Sequence, residues 1–231
     1  MTRYAIYFAP AAASAWWRFG AGWLGRDDLR NAALPQVQPP TFSPGEFAAI
    51  TAEPRRYGFH ATLKAPFTLR EGIGEADICE RLAALAATLR SAPLGPLMPI
   101  YLAEGYVALV PTRRHGGIDA IAAQCVKALD DLRAPLTPEQ LARRQPDLLD
   151  ERGRELLQAW GYPYVLERFR FHMTLTGFVE LDVAGRVVPH VAPLAQRLER
   201  GEPLRLDRLC LFREAAPGAP FMRVHDEVLA S

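Results

Sequence analysis

Hydrophobic positions along the chain alternate between two periods, and the changes of period divide it into elements. Tyr4 to Ala9 (YAIYFA) is a short β-prone run stopped by Pro10, after which Trp16, Trp17, Phe19 and Trp23 in Ala-rich sequence predict a helix packed by aromatic rings. Pro35 to Pro54 is rich in proline and turn residues and reads as a loop carrying a short helix near Pro44 to Ile50. A strand is predicted from about Tyr57 to Lys64, limited by Pro66. Ile78, Leu82, Leu85 and Leu89 recur at helical spacing, as do Ile118, Ile121, Cys125, Leu129 and Leu132. Between these helices, Leu97 to Leu102 and Tyr106 to Pro111 predict two strands about the turn Glu104-Gly105.

Thr137-Pro138-Glu139-Gln140 carries the cap, first-turn proline and Gln that open a helix, and Leu148 to Trp160 continues helically to Gly161. This helical insert, about 137–160, ends in GYPYV. A second strand from about Arg168 to Thr176, a helix from about Pro193 to Arg200 and a last strand near Leu204 to Phe212 complete the reading. Helix, strand, strand, helix argues for an α+β fold rather than a run of βαβ units.

One pattern occurs twice, as YGFHATLK at Tyr57 to Lys64 and FRFHMTLT at Phe169 to Thr176, about half the chain apart. Successive strand side chains point to opposite faces, so His60 and Thr62 share one face about 7 Å apart, as do His172 and Thr174. The opposite face carries Tyr57, Phe59, Ala61 and Leu63 in one copy and Phe169, Phe171, Met173 and Leu175 in the other, and reads as core. If the two strands lie about a pseudo-twofold axis, two imidazoles and two hydroxyls meet in one cleft. A histidine pair can act as acid and base near neutral pH, and the hydroxyls can bind phosphate oxygens. Extending the face adds one cation per copy, Lys64 and Arg170, with Tyr57 and Thr176 as further candidate substrate contacts. Such a pocket suits a phosphate ester. A metal site is not expected there, since neither motif brings a carboxylate.

Composition narrows the partner. The 231 residues, 49% of them apolar, favour one large two-lobed domain over 1–231. Lys plus Arg (27) balance Asp plus Glu (26), so no net field draws the chain to nucleic acid or an anionic membrane, and the expected partner is a small phosphorylated molecule. Cys79, Cys125 and Cys210 are odd in number and lie in apolar patterns, which suits free thiols in a reducing compartment. MTRYAIYFAP lacks the build of a signal peptide, and no apolar stretch is long enough to span a bilayer, so a soluble cytoplasmic protein is expected.

At His60-Ala61-Thr62 and His172-Met173-Thr174 the sequence resembles the 2H phosphoesterase superfamily. Within it, RYGFHATLKAPF, LTPEQLARRQP, WGYPYV and FRFHMTLTG resemble the DUF1045 family, described in connection with phosphonate metabolism. The resemblance implies a bilobal fold with an antiparallel sheet in each lobe, a cleft between them, and metal-independent, cofactor-free hydrolysis of a cyclic phosphodiester. It makes His60 and His172 the acid/base pair and Thr62 and Thr174 the phosphate ligands. A ribose bearing a 1,2-cyclic phosphate is the substrate that the family context suggests. Two alternatives stay open: RNA-end processing by a 2′,3′-cyclic phosphodiesterase or 2′-5′ ligase, and a non-catalytic phosphate-binding protein.

Overall fold

The N-terminal apolar run becomes one of the two interior strands of a four-stranded sheet. The computed structural model describes residues 1–231. Its elements run β1 (Arg3–Phe8), α1 (Ala15–Leu24), β2 (Arg26–Asp27), β3 (Ala32–Ala33), α2 (Pro44–Ile50), α3 (Ala52–Tyr57), β4 (Ala61–Phe67) and α4 (Glu75–Ala86). They continue with β5 (Ala92–Pro93), β6 (Leu97–Tyr101), β7 (Val107–Pro111), α5 (Gly116–Ala128), α6 (Pro138–Ala142) and α7 (Glu151–Trp160). The chain closes with β8 (Met173–Thr174), α8 (Leu181–Gly201), β9 (Arg205–Leu206), β10 (Arg208–Glu214) and β11 (Phe221–Val228). The fold is thus mixed α+β with small antiparallel sheets, as the order of elements predicted.

The larger sheet is ordered β11-β10-β1-β4 and the second β6-β7-β8, each ladder antiparallel. Both faces of β1 are covered, which requires its unbroken apolar run. Tyr4, Ile6 and Phe8 join the main core of 41 residues, which also holds Met173, Leu175 and Leu109 of the second sheet region. Ala5, Tyr7 and Ala9 join Cys210, Phe212 and Phe221 in a small cluster on the other face. The candidate chemistry lies on that second face.

Four predicted boundaries are corrected. The first motif is not extended from Tyr57: α3 runs through Tyr57, Gly58 reverses the chain at φ 82°, and β4 begins only at Ala61 and continues through Pro66. The second motif holds a ladder at Met173–Thr174 alone, because the Leu166–Arg168 turn precedes it and the Thr176 hydroxyl ends it. The helix expected from Pro193 starts at Leu181 and runs through Pro189 and Pro193, each a local cost of about 3 kcal/mol. Its buried stripe, Ala184, Val187, Val191 and Ala195, packs on β6 and β7 and outweighs that cost. Finally, β11 lies beyond the last predicted strand; its polar alternation (FMRVHDEV) suits a sheet edge.

The three cysteines are free, Cys125 and Cys210 buried and Cys79 partly so. No helix is long and apolar enough to cross a membrane.

Candidate active site

Each motif histidine stands immediately before an edge strand, His60 before β4 and His172 before β8. The two strands pair with β1 and β7 respectively, not with each other. What brings the motifs together is the core beneath them. Phe8, opposite Ala61 in the β1–β4 register, has its ring 6.0 Å from that of Phe171, the residue before His172. The Trp23 indole donates to the Leu175 carbonyl at 2.9 Å, tying α1 to the second motif.

The local geometry repeats. His60 Nδ1 lies 2.9 Å from the Gly58 carbonyl oxygen, and His172 Nδ1 lies 2.9 Å from the Arg170 carbonyl oxygen. A carbonyl can only accept, so in both rings Nδ1 carries the proton and a neutral ring leaves Nε2 with its lone pair free. In the first copy the Thr62 hydroxyl donates to that Nε2 across 3.2 Å. Gly58 is the residue that permits this: its left-handed φ and the Asp28 side chain 3.0 Å from where a Cβ would stand leave no room for another residue. Arg26 holds the turn from behind, donating to the carbonyls of Arg55 and Arg56.

His60 is stacked on Tyr7, with ring centroids 3.8 Å apart, and is flanked by Phe212 and Tyr57 at 6.2 Å. Burial among these rings, followed by the charge of His172, pushes its pKa down from 6.5 to about 4. It is therefore neutral at pH 7. On the His172 side Tyr106 lies 6.0 Å away, and burial, then the Glu104 charge, pushes its hydroxyl up to about 12, so it remains a donor.

Tyr162 of the GYPYV segment lines a small cavity with Lys64, Ala65, Pro66 and Phe67, so the segment that closes the helical insert delivers a ring beside β4. The insert also delivers Arg144, a residue that the strand-face reading missed, with its guanidinium 4.9 Å above the Tyr162 ring. The string LARRQP was the available signal, but two adjacent arginines near a helix end look like solvated charge.

Two candidate substrate contacts have structural partners instead. Lys64 is 3% exposed and donates to Asp130 at 2.9 Å and to the Val126 carbonyl at 3.2 Å. The cause is a bulge: Thr62 registers with Tyr7 but Lys64 with Ile6, so the extra residue turns Lys64 to the core face beside α5. Thr176 is fully buried, and its hydroxyl accepts from the Val107 N–H at 2.9 Å. Tyr57 stacks on Phe221 at 5.2 Å beneath Arg56, whose partner is Glu214. Arg170 is exposed on the His172 side. Nowhere do three His, Cys, Asp or Glu side chains gather as a metal would require.

A family model described as "Protein of unknown function (DUF1045)" matches residues 62–222, which include Thr62, His172 and Thr174 and begin two residues after His60. The chain is 39% identical over 225 residues to a protein of Janthinobacterium sp. (strain Marseille) named "Ribose 1,5-bisphosphate phosphokinase PhnN", covering 96% of this chain and 49% of that one. It is 36% identical over 220 residues to a protein of the same name from Laribacter hongkongensis (strain HLHK9), covering 95% and 50%. The chain therefore spans about half the length of these curated relatives.

Proposed function

The chain belongs to the DUF1045 family, and on that premise we propose that it is a metal-independent phosphoesterase that opens a small cyclic phosphodiester by histidine acid–base catalysis. In this reading the two sheets are the pseudo-symmetric lobes of one 2H-type domain. The observation that carries it is the repeated ring geometry: both histidines are held by a carbonyl at Nδ1, so both offer Nε2 for chemistry.

The roles divide by environment. His60, neutral at pH 7, takes a proton from water at Nε2 as the water oxygen bonds to phosphorus. His172, which enters this step with both ring nitrogens protonated, donates its Nε2 proton to the departing ring oxygen as the P–O bond breaks. Exchange with solvent restores both rings. With substrate bound, the Thr62 hydroxyl turns from His60 Nε2 to a non-bridging oxygen, Thr174 binds the other, and each proton transfer contributes roughly 10²- to 10⁴-fold.

The relatives' printed name suggests the substrate. Opening the P–O2 bond of a 5-phosphorylated ribose 1,2-cyclic phosphate leaves ribose 1,5-bisphosphate, the compound in that name. The kinase activity in the name fits this chain less well. Its only lysines, Lys64 and Lys127, follow Leu63 and Val126, so it has no Gly-Lys-Ser/Thr phosphate loop, and we assign that activity to the part of the relatives outside the match.

The test is turnover by the purified chain of ribose 5-phosphate 1,2-cyclic phosphate, followed by phosphorus NMR, beside 2′,3′-cyclic nucleotides. Preferred conversion of the ribose compound to the 1,5-bisphosphate, unaffected by chelator, is expected. Efficient turnover of the nucleotides alone would favour RNA-end processing, and turnover of neither would leave a binding protein.

A further inference from the structure

Arg144 follows the last turn of α6, and Gln145 behind it adopts a left-handed φ of 47° before the Pro146–Leu148 turn. The chain reverses there, and the Arg144 side chain is left half-buried against Tyr162 rather than spread into solvent. Its neighbours in charge have anions: Arg3 and Arg56 share Glu214, Arg133 holds Asp130 and Arg168 holds Asp150. Arg144 has none. The Tyr162 ring beneath it lines a small cavity with Lys64, Ala65, Pro66 and Phe67 of β4, the strand that follows His60.

A guanidinium has five N–H donors and is costly to desolvate without an acceptor. The ring facing it is the phenol of Tyr162. Burial raises the pKa of Tyr162, so its hydroxyl stays protonated and can donate. A half-buried cation with no anionic partner, beside a neutral donor and next to the strand that His60 precedes, matches a dianionic phosphate monoester.

We propose that Arg144, with the hydroxyl of Tyr162, forms a second anion subsite that binds the remote phosphate of a doubly phosphorylated sugar. This rests on reading the His60/His172 pair as the reacting centre. The subsite lies on the His60 side, and it takes the part that strand alternation had given to Lys64. It also gives the insert a purpose: the insert carries the specificity-determining cation.

Two measurements keep this inference separate from the proposed reaction. In the first, wild type and Arg144→Gln are compared on ribose 1,2-cyclic phosphate with and without a 5-phosphate. Loss of one charge-assisted contact is expected to lower kcat/KM on the 5-phosphorylated substrate by about 10- to 100-fold, mostly through KM, with a change below about 3-fold on the other and partial rescue by Arg144→Lys. Equal loss on both substrates, or no loss, would overturn it.

The second measurement is calorimetric binding of ribose 5-phosphate, which needs no turnover. Wild type and His172→Ala should bind it and Arg144→Gln should bind at least about 10-fold more weakly, with an unchanged melting temperature showing that the variant is folded. If no cyclic phosphate is hydrolysed but this pattern holds, the reaction is wrong and the subsite stands. No binding to wild type, or equal binding to Arg144→Gln, sinks the subsite whatever the turnover shows.

Discussion

Tyr7 lies nearly flat on His60, ring centroids 3.8 Å apart and planes inclined by 25°. A residue of the interior strand β1 thereby sets the electrostatics of a histidine on its neighbour, because the Tyr7 ring displaces water from one whole face of the imidazole. Removing that ring should rehydrate His60. Tyr7→Ala is expected to move the acid limb of the pH–rate profile upward from about 4 toward 6.5, whereas Tyr7→Phe should leave it in place. An NMR titration of His60 in both variants reads this directly, and equal pKa values would show that the stack is not the cause.

The same depressed pKa predicts acid sensitivity of the fold. The unfolded chain protonates His60 near 6.5 and the folded one near 4, so stability is full above about pH 6.5 and declines as pH falls to about 4. The loss from this group amounts to at most about 3 kcal/mol at 1.36 kcal/mol per unit. His60→Gln should flatten that part of the stability curve while abolishing turnover. Denaturant melts at pH 7 and pH 4.5 give the comparison; an unchanged slope would mean that His60 titrates normally.

Two threonines two residues apart should fail differently. Thr176→Val leaves the buried Val107 N–H without its acceptor and should cost about 1–3 kcal/mol of stability. Thr174→Val should leave melting nearly unchanged and lower kcat/KM by about 10-fold or more. If Thr174→Val is as destabilising as Thr176→Val, its hydroxyl is not reserved for a ligand.

Lys64 offers the reverse case. Burial works against the Asp130 carboxylate, but Arg133 and Lys64 outweigh it and hold its pKa low. Lys64→Met keeps the packing and leaves Asp130 one partner, so a destabilisation of about 1–3 kcal/mol with an unaltered KM is expected. A raised KM with intact stability would return Lys64 to the substrate.

Much of this architecture was readable from spacing. The periods of 3.6 and 2 located α1, α4, α5, β6 and β7, since each depends on which side of its own backbone an element buries. Burial of Phe169, Phe171, Met173 and Leu175 follows the period even where β8 is only two residues long, because alternation belongs to an extended chain whether or not it has a ladder partner. Proline misled the reading of α8, where a packed stripe outweighs two local penalties.

The juxtaposition of His60 and Thr62 is likewise local, a consequence of backbone geometry within three residues. What spacing could not supply was anything depending on a neighbour. A bulge against β1 reverses Lys64, a ladder amide captures Thr176, and Arg144 of the distant insert comes to rest on Tyr162. Each is settled by which segment lies beside which, and that is determined by burial of the common core under β1, β4 and the second motif rather than by any residue's own preference.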